Sequence, residues 1–204
     1  MKEAPYSFRI TNVVCHGNIG RKVDLDELYS KILRSYSESL FSSSSILFEY
    51  QEWCKRFVFR LKEPKGVFLL FKSGKFVITG CENERNAMEV ALKVKKELER
   101  YGLKIEQLNL RVNNIVVHGD FKRTIEIEKA VRALQKIYNK LPIYEPDQFP
   151  AIIHKYEDGS SLLLFPSGAV ILSGLKDEKK GKERLDNLYR ILEDNNVFLS
   201  EVNY

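Results

Sequence analysis

Apolar and polar residues alternate with a period of two in several short runs of the chain. The runs at 66–71 and 75–81 show this alternation, and turn residues separate them. Such a pattern is typical of β-strands, because successive side chains point to opposite faces of a sheet. The sequence predicts strands at Phe8–His16, Trp53–Lys62, Gly66–Phe71, Lys75–Cys81, Leu108–His118, Pro150–Tyr156, Ser160–Phe165 and Ala169–Gly174.

Four other segments show the 3.6-residue spacing of amphipathic helices. Asp24 is suited to the N-cap of the first, Asn83 opens the second, and Gly102 ends it. The predicted helices lie near Asp24–Leu33, from Asn83 to Tyr101, at Ile125–Leu141 and near Glu178–Glu193. The third is expected to bury Ile127, Val131, Leu134, Tyr138 and Leu141.

The second half of the sequence repeats the first. FLLFKSGKFVITG at 68–80 returns as LLLFPSGAVILSG at 162–174, and TNVVCHG at 11–17 returns as NNIVVHG at 113–119. The duplication predicts two repeats, residues 1–104 and 105–204. The first repeat is longer, and a serine-rich segment at about 35–47 is expected to hold the extra residues in a surface loop.

One face of the predicted sheet lacks an obvious covering layer. The first strand of each half shows the same side chains on one face: Asn12, Val14 and His16, then Asn114, Val116 and His118. The strands around the repeated phrase are apolar on both faces, so helices can cover only one of them. We therefore expect a continuous antiparallel sheet whose open apolar face carries the function.

Composition and charge narrow the class of protein without deciding it. The 204 residues carry a formal net charge of +5, which permits a nucleic-acid partner but does not require one. No apolar run is long enough to cross a membrane, and no signal peptide is evident, so we expect an intracellular protein without a membrane partner. The three cysteines form no CxxC pair, and neither a metal nor another cofactor is expected.

Three phrases resemble those of the TATA-box-binding protein family: EPKGVFLLFKSGKFVITG, YEPDQFPAIIHKY and LLLFPSGAVILSG. The NVV and NIV strand starts add to the resemblance, which covers about Phe8 to Phe198. It implies an α+β saddle, in which two pseudo-symmetric repeats form one curved antiparallel sheet with helices on its convex face. The short N-terminal arm is more typical of archaeal members.

The resemblance implies a general transcription initiation factor that binds and bends A·T-rich promoter DNA through the minor groove. Transcription factor B and the RNA polymerase pre-initiation complex would be its partners. The DNA-binding residues that it implies are Asn12, Val14, Trp53, Arg60, Leu69, Phe71, Lys75, Val77, Thr79, Asn114, Val116, Phe149, Pro150, Lys155, Leu163, Phe165, Ile171 and Ser173.

The resemblance also implies bulky wedges, because the family has a pair of phenylalanines at each end of the saddle. Phe149 and Phe165 match one pair, and Phe71 matches one member of the other. The fourth position falls on Cys54, with Trp53 beside it. Either Trp53 serves as the wedge, reached through a local bulge, or this end of the saddle kinks DNA less. We favour Trp53 as the wedge; a further alternative is that Trp53 packs on the core beneath the serine-rich segment.

Charged positions match the family in part. Arg60, Lys75 and Lys155 are expected to contact phosphates, but Ala169 stands where the family usually has a lysine, so affinity and its salt dependence should be reduced. Glu145, Pro146 and Asp147 match the loop that meets transcription factor B in relatives.

Two rival functions follow from the departures from the family. One is a divergent paralogue that docks transcription proteins but binds DNA weakly. The other is an enzyme, which we do not expect, since the sequence offers no paired carboxylates, activated nucleophile or phosphate-binding glycine motif. The sequence leaves open a homodimer of the free protein, and whether the location is an archaeal cytoplasm, at the nucleoid, or a nucleus.

Overall fold

The structure is a computed structural model that describes residues 5–38 and 46–199. Within these ranges the chain forms ten β-strands, four α-helices and a short 3-10 helix at Glu52–Cys54. In chain order they are β1 (Ser7–Asn18), α1 (Leu25–Glu38), β2 (Ile46–Gln51), β3 (Arg56–Leu61), β4 (Gly66–Phe71), β5 (Lys75–Cys81), α2 (Glu84–Arg100), β6 (Asn109–Asp120), α3 (Ile127–Tyr138), β7 (Ile143–Glu145), β8 (Phe149–Lys155), β9 (Ser161–Leu164), β10 (Ala169–Leu175) and α4 (Glu178–Asp194).

Two compact units make up the chain. We call Asn12–Asn113 the N-unit, and Met1–Thr11 with Asn114–Tyr204 the C-unit. Strands β1 and β6 contribute residues to both units. The units follow spatial packing rather than sequence duplication, so the repeat boundary between 104 and 105 stays a prediction.

The strands of the N-unit are antiparallel and follow the order β2-β3-β4-β5-β1. Phe57, Phe59, Phe68 and Phe76 are buried and contact one another in sequence, with ring centroids 4.8 to 6.2 Å apart. Helix α2 packs closely on this layer because Gly66 has no side chain. A Cβ at this position would lie 2.8 Å from Val90 Cγ2. This packing buries one face of the sheet with large aromatic groups.

The strands of the C-unit repeat this plan in the order β6-β10-β9-β8-β7, again antiparallel. Gly119 of β6 allows a similar close approach of helix α4, since a Cβ at Gly119 would lie 2.7 Å from Leu185 Cδ2. Buried Phe121 packs edge to face against Phe198, with ring centroids 5.7 Å apart.

The helix caps expected from the sequence are confirmed. Asp24 Oδ1 accepts hydrogen bonds from the backbone amides of Asp26 and Glu27, at 3.1 and 3.0 Å. Asn83 Oδ1 accepts from the Asn86 amide at 2.7 Å. These bonds satisfy amides that the first turn of a helix leaves without intrahelical partners.

Some predicted boundaries are wrong. The strand expected at Trp53–Lys62 begins only at Arg56, because Glu52–Cys54 forms a 3-10 turn that ends with Lys55 at φ +48°. Helix α3 ends at Tyr138 with Asn139 at φ +49°, so Leu141, expected to be buried, is 64% exposed. Strands β2 and β7 were not identified individually.

The serine-rich segment, expected to be a surface loop over about 35–47, is regular secondary structure at both of its described ends. Helix α1 continues to Glu38, and β2 starts at Ile46. Residues 39–45 lie outside the described residues. None of the helices in the described ranges is long and apolar enough to cross a membrane.

Candidate nucleic-acid interface

The sheet face of the N-unit opposite its aromatic core presents a partly exposed apolar surface, which we call the N-face. The burial pattern of β4 alternates strictly, with Phe68 and Leu70 buried and Leu69 and Phe71 half-buried. The same alternation in β5 and β1, and the pairing of β3 with β4, assign the remaining members, of which Val58 is buried with 2% exposure. The N-face contains Asn12, Val14, His16, Val58, Arg60, Val67, Leu69, Phe71, Lys75, Val77 and Thr79.

Strand register places the N-face residues in rows across the sheet. Val58 lies opposite Leu69, Leu69 opposite Val77, and Val77 opposite His16. A second row pairs Arg60 with Val67 and Val67 with Thr79. Apolar groups therefore lie at the centre of the surface, and the polar residues His16, Arg60 and Thr79 lie at ends of the rows.

An equivalent surface of the C-unit, the C-face, has a similar composition. Ile153 lies opposite Leu163, Leu163 opposite Ile171, and Ile171 opposite His118. The C-face contains Asn114, Val116, His118, Phe149, Ile153, Lys155, Leu163, Phe165, Ile171 and Ser173. Pro150 follows Phe149 on β8 and is exposed.

One asparagine on each face is held in a fixed orientation. Asn12 Oδ1 accepts a hydrogen bond from the Gly80 amide at 2.8 Å and one from Thr79 Oγ1 at 3.3 Å. Asn114 Oδ1 accepts from the Gly174 amide at 2.7 Å. Because each oxygen is engaged by the sheet, the Nδ2 groups supply the hydrogen-bond donors that remain for a ligand.

A pair of phenylalanines ends the C-face. The rings of Phe149 and Phe165 lie 5.9 Å apart with their planes at 66°. Phe149 is 39% exposed despite its size. An exposed aromatic pair at the end of an apolar surface is suited to insert between stacked bases.

The corresponding end of the N-face differs. Ile153 opposite Leu163 is equivalent to Val58 opposite Leu69. Cys54, four residues before Val58 and in the 3-10 turn, is therefore equivalent to Phe149, four residues before Ile153. Its Sγ is directed at the Gln51 carbonyl oxygen, 3.6 Å away. Phe71 therefore has no phenylalanine partner, and Arg56 lies opposite it.

Trp53 extends from this end into solvent. Its side chain is 83% exposed, and the Arg56 guanidinium lies 5.9 Å from its ring centroid. The alternative that Trp53 packs on the core is therefore wrong. Its role as a wedge stays a prediction.

The turn that carries Trp53 is fixed by hydrogen bonds and ion pairs. Tyr50 Oη donates to Asp26 Oδ1 at 2.5 Å, and this bond lowers the pKa of Asp26. Lys55 Nζ lies 3.7 Å from both Asp26 Oδ1 and Glu52 Oε1. These contacts tie the turn to α1, although each ion pair is exposed and weak by itself.

The cations expected to meet phosphates are available. Arg60, Lys75 and Lys155 are exposed and form no ion pair within the described residues. Lys75 lies across from Asn18, whereas Ala169 lies across from Asp120. The C-unit therefore lacks a cation at this place and carries a carboxylate beside it.

The acidic segment expected to bind transcription factor B is exposed. Glu145 ends the short strand β7 opposite Phe149, and Pro146 and Asp147 form the turn that follows. The Gln148 amide closes this turn by donating to the Glu145 carbonyl oxygen at 2.9 Å. Within the described ranges, no group of three or more potential ligands could hold a metal ion, and this includes His16 and His118.

Four further residues on this side of the strands were missed in the sequence: Arg56, Val58, Val67 and Ile153. Arg56 Nε donates to Gln51 Oε1 at 2.6 Å and stands beside Phe71. The period-two alternation through Arg60 and Leu69 indicates the first three of these residues, and Lys155 indicates Ile153.

Comparison with known proteins decides the family. The family described as "Transcription factor TFIID (or TATA-binding protein, TBP)" matches residues 7–101 and 109–195. This chain belongs to that family. The match falls in two consecutive segments, in agreement with the duplication, and membership supports a role in transcription initiation rather than catalysis.

Relatives and a solved structure agree with this assignment. The TATA-box-binding protein of Pyrodictium occultum is 30% identical over 186 residues, 90% of this chain and 84% of that protein. The TATA box-binding protein-like 2 of Rattus norvegicus is 31% identical over 189 residues, 91% of this chain and 49% of that protein. The structure of Methanococcus jannaschii TBP matches with a TM-score of 0.71 and 27% identity, covering 92% of this chain and 99% of that one. The expected TBP-like α+β fold is thereby confirmed.

Proposed function

We propose that this TBP family member is a general transcription initiation factor that binds A·T-rich promoter DNA in the minor groove through the N-face and the C-face. The observation that carries the proposal is the pair of oriented asparagines. A·T pairs expose only acceptors in the minor groove, namely adenine N3 and thymine O2. The Nδ2 donors of Asn12 and Asn114 match those acceptors.

The apolar side chains around each asparagine supply selectivity. G·C pairs add the guanine N2 amino group to the minor groove. Val14, Val77 and Leu69 on the N-face offer this donor no acceptor, and Val116 and Ile171 repeat the arrangement on the C-face. Burying an unpaired amino group costs about 1–3 kcal/mol, which disfavours G·C pairs at the centre of the site.

DNA bending would be unequal at the two faces. Phe149 and Phe165 together form the wedge of the C-face, in contact with each other. The N-face has Phe71 with the exposed Trp53 nearby, and Cys54 is too small to separate a base step. We propose that the C-face produces the larger kink and that Trp53 completes the smaller one.

Protein partners would act at the acidic segment. Glu145, Pro146 and Asp147 are exposed beside β8, and we propose that transcription factor B binds there and brings the RNA polymerase pre-initiation complex. The protein would act on chromosomal DNA, in the cytoplasm of an archaeon or the nucleus of a eukaryote.

A two-duplex titration tests the proposal. A labelled A·T-rich duplex and a G·C-rich control are titrated at two salt concentrations, with bending followed by end-to-end fluorescence transfer. We expect selective binding to the A·T-rich duplex with a bend, and Phe165→Ala should reduce the bend. Equal, unbent binding to both duplexes would refute the proposal.

A second candidate function is protein docking with weak DNA binding. The observations that favour it are the 3-10 turn at Cys54 and the alanine at 169. The double variant Cys54→Phe, Ala169→Lys restores the family's residue types at both places. If docking is the main role, the natural chain binds DNA weakly and the double variant gains both affinity and bend; if promoter binding is the role, the gain is small.

A further inference from the structure

A cavity in the C-unit opens on the helix-covered side of β8, and Lys155 is the C-face residue among those that line it. It has a volume of about 660 Å³ and lies between the end of α3, the turn joining β8 to β9, and the first half of α4. His154 lines it from the helix-covered side of β8, whereas Ile153 and Lys155 alternate toward the other side. We call it the His154 cavity.

One buried polar atom of the cavity walls, His154 Nδ1, has no hydrogen-bond partner in the described part of the chain. The buried Tyr156 hydroxyl has the Tyr138 side chain as its neighbour. His154 is only 2% exposed. A buried polar atom without a partner costs about 1–3 kcal/mol, so native proteins usually supply a ligand or an ordered water.

The cavity is lined by more basic than acidic residues. Lys140, Lys155, Lys180 and Arg184 contribute to it, against Glu157 and Asp158. Lys180 Nζ and Arg184 Nη2 approach the same oxygen, Asp158 Oδ2, at 2.6 and 2.8 Å. Their cationic groups are therefore close together, and they already coordinate one oxyanion.

Lys140 adds a further cation at the cavity. Its Nζ lies 3.4 Å from the Lys155 carbonyl oxygen, a neutral partner that leaves its charge unbalanced. Burial, followed by the charges of Lys140 and Arg184, lowers the pKa of His154. The imidazole is thus uncharged at neutral pH and able to act as a single hydrogen-bond donor.

The aromatic groups shape the cavity without offering a free stacking surface. The Arg184 guanidinium lies 3.8 Å from the Tyr156 ring centroid. Tyr138 packs on His154 with ring centroids 4.5 Å apart. A ligand that depended on stacking, such as a free nucleobase, would find these faces occupied.

We propose that the His154 cavity binds a phosphate-class anion. Its donors would be the ammonium groups of Lys140 and Lys180, the Arg184 guanidinium and the His154 imidazole. A phosphate offers three or four acceptor oxygens to such a set, whereas a carboxylate offers two. The volume lies within the range of small-ligand sites, so both inorganic phosphate and a phosphate monoester fit.

Isothermal calorimetry without DNA tests this proposal independently of promoter binding. Inorganic phosphate, adenosine monophosphate and acetate are titrated at constant ionic strength. We expect saturable phosphate binding that Lys140→Met weakens by about tenfold, the loss of one charge-assisted hydrogen bond. Lys136→Met is the matched control, because Lys136 is exposed in the last turn of α3, four residues before Lys140, and does not line the cavity.

The variant His154→Phe distinguishes a ligand-binding site from a site that holds only structural water. Phenylalanine keeps the ring that packs on Tyr138 but removes the unpartnered nitrogen, so phosphate binding should be lost while the variant stays folded. Tighter binding of adenosine monophosphate than of phosphate assigns the ester as the natural source, and the reverse assigns the free ion.

Three results would overturn the proposal. The first is the absence of saturable phosphate binding, which would leave a buried water as the partner of His154 Nδ1. The second is acetate binding as tight as phosphate, and the third is an equal loss in Lys136→Met. None of these outcomes bears on DNA binding at the N-face and C-face.

Discussion

Lys75 and Ala169 occupy equivalent places in the two repeats, and this difference predicts a change in the salt dependence of DNA binding. Lys75 is exposed across from Asn18, and Ala169 lies across from Asp120. Replacing Ala169 with lysine adds a cation where the C-unit has none. The new ammonium would, however, face a carboxylate.

The magnitude follows from counterion release. Each phosphate contact adds about 0.9 to the slope of log K against log salt, so a fourfold rise in salt costs about 3.5-fold more affinity per contact. Lys75→Ala should lower the slope by about 0.9. Ala169→Lys should raise it by less than that, because Asp120 pairs with the new ammonium across the strands.

The double variant Asp120→Asn, Ala169→Lys should give the full increment. It recreates the asparagine–lysine pair of the N-unit, and asparagine can keep the bond that Asp120 Oδ1 accepts from the Lys122 amide at 2.8 Å. Asn18 Oδ1 already accepts such a bond from the Gly20 amide, at 2.8 Å. The local turn should therefore be preserved.

Fluorescence anisotropy of a labelled A·T-rich duplex over a series of salt concentrations measures these slopes. Lys96→Ala is the control, because Lys96 is exposed on α2, away from the N-face. If Lys75→Ala shows the same slope as Lys96→Ala, Lys75 does not contact a phosphate. If the double variant has the same salt slope as the natural chain, the comparison between the two repeats is invalid.

Three further predictions test separate parts of the structure. Asn114→Asp keeps the oxygen that accepts the Gly174 amide but removes the Nδ2 donors, so DNA affinity should fall at least about tenfold in the same assay with little change in melting temperature; unchanged affinity would count against the oriented amide. Trp53 is the single tryptophan of the chain, so its fluorescence should be that of a solvent-exposed indole and should change on addition of A·T-rich duplex; an unaltered spectrum would exclude it as a wedge. His154 has a lowered pKa in the folded state, so the unfolded chain binds its proton more readily and stability should fall as pH drops below about 6.5, the ordinary histidine pKa. Melting temperatures from pH 7.5 down to 5 should decline less steeply in His154→Phe, and parallel curves would refute this assignment.

Most of the fold could be predicted because the sequence contains the same pattern of strands and helices twice. The alternation in β4 and β5 separates Phe68 and Ile78, which are buried, from Leu69 and Val77, which are not. The same alternation in β9 and β10 assigns the C-face. A second copy of each phrase removes much of the ambiguity that one apolar run leaves between strand and helix.

The errors lie where the backbone departs from regular structure without glycine or proline. Lys55 and Asn139 both have positive φ, near +48° and +49°. Such residues end an element abruptly, and lysine carries no sequence signal for this conformation. The late start of β3 and the early end of α3 both follow from them.

The sequence does not determine the hydrogen-bond geometry of the site. Strand alternation places Asn12 and Asn114 on the open faces but does not say which atom of each amide is engaged. That depends on the amides of Gly80 and Gly174, which come from a neighbouring strand. The His154 cavity is likewise formed by three segments that are distant in sequence, so no local pattern could reveal it.

The two glycines that orient the asparagines have unequal tolerance to mutation. Gly80 and Gly174 have nearly the same backbone conformation, with φ +77° and +78°. A Cβ at Gly80 would meet nothing closer than 4.0 Å, whereas one at Gly174 would lie 2.9 Å from Ser160 Cα. Asparagine, which adopts positive φ more readily than most residues, could replace Gly80 but not Gly174. Although the repeats share an ancestral phrase, the first copy can drift at this position and the second cannot.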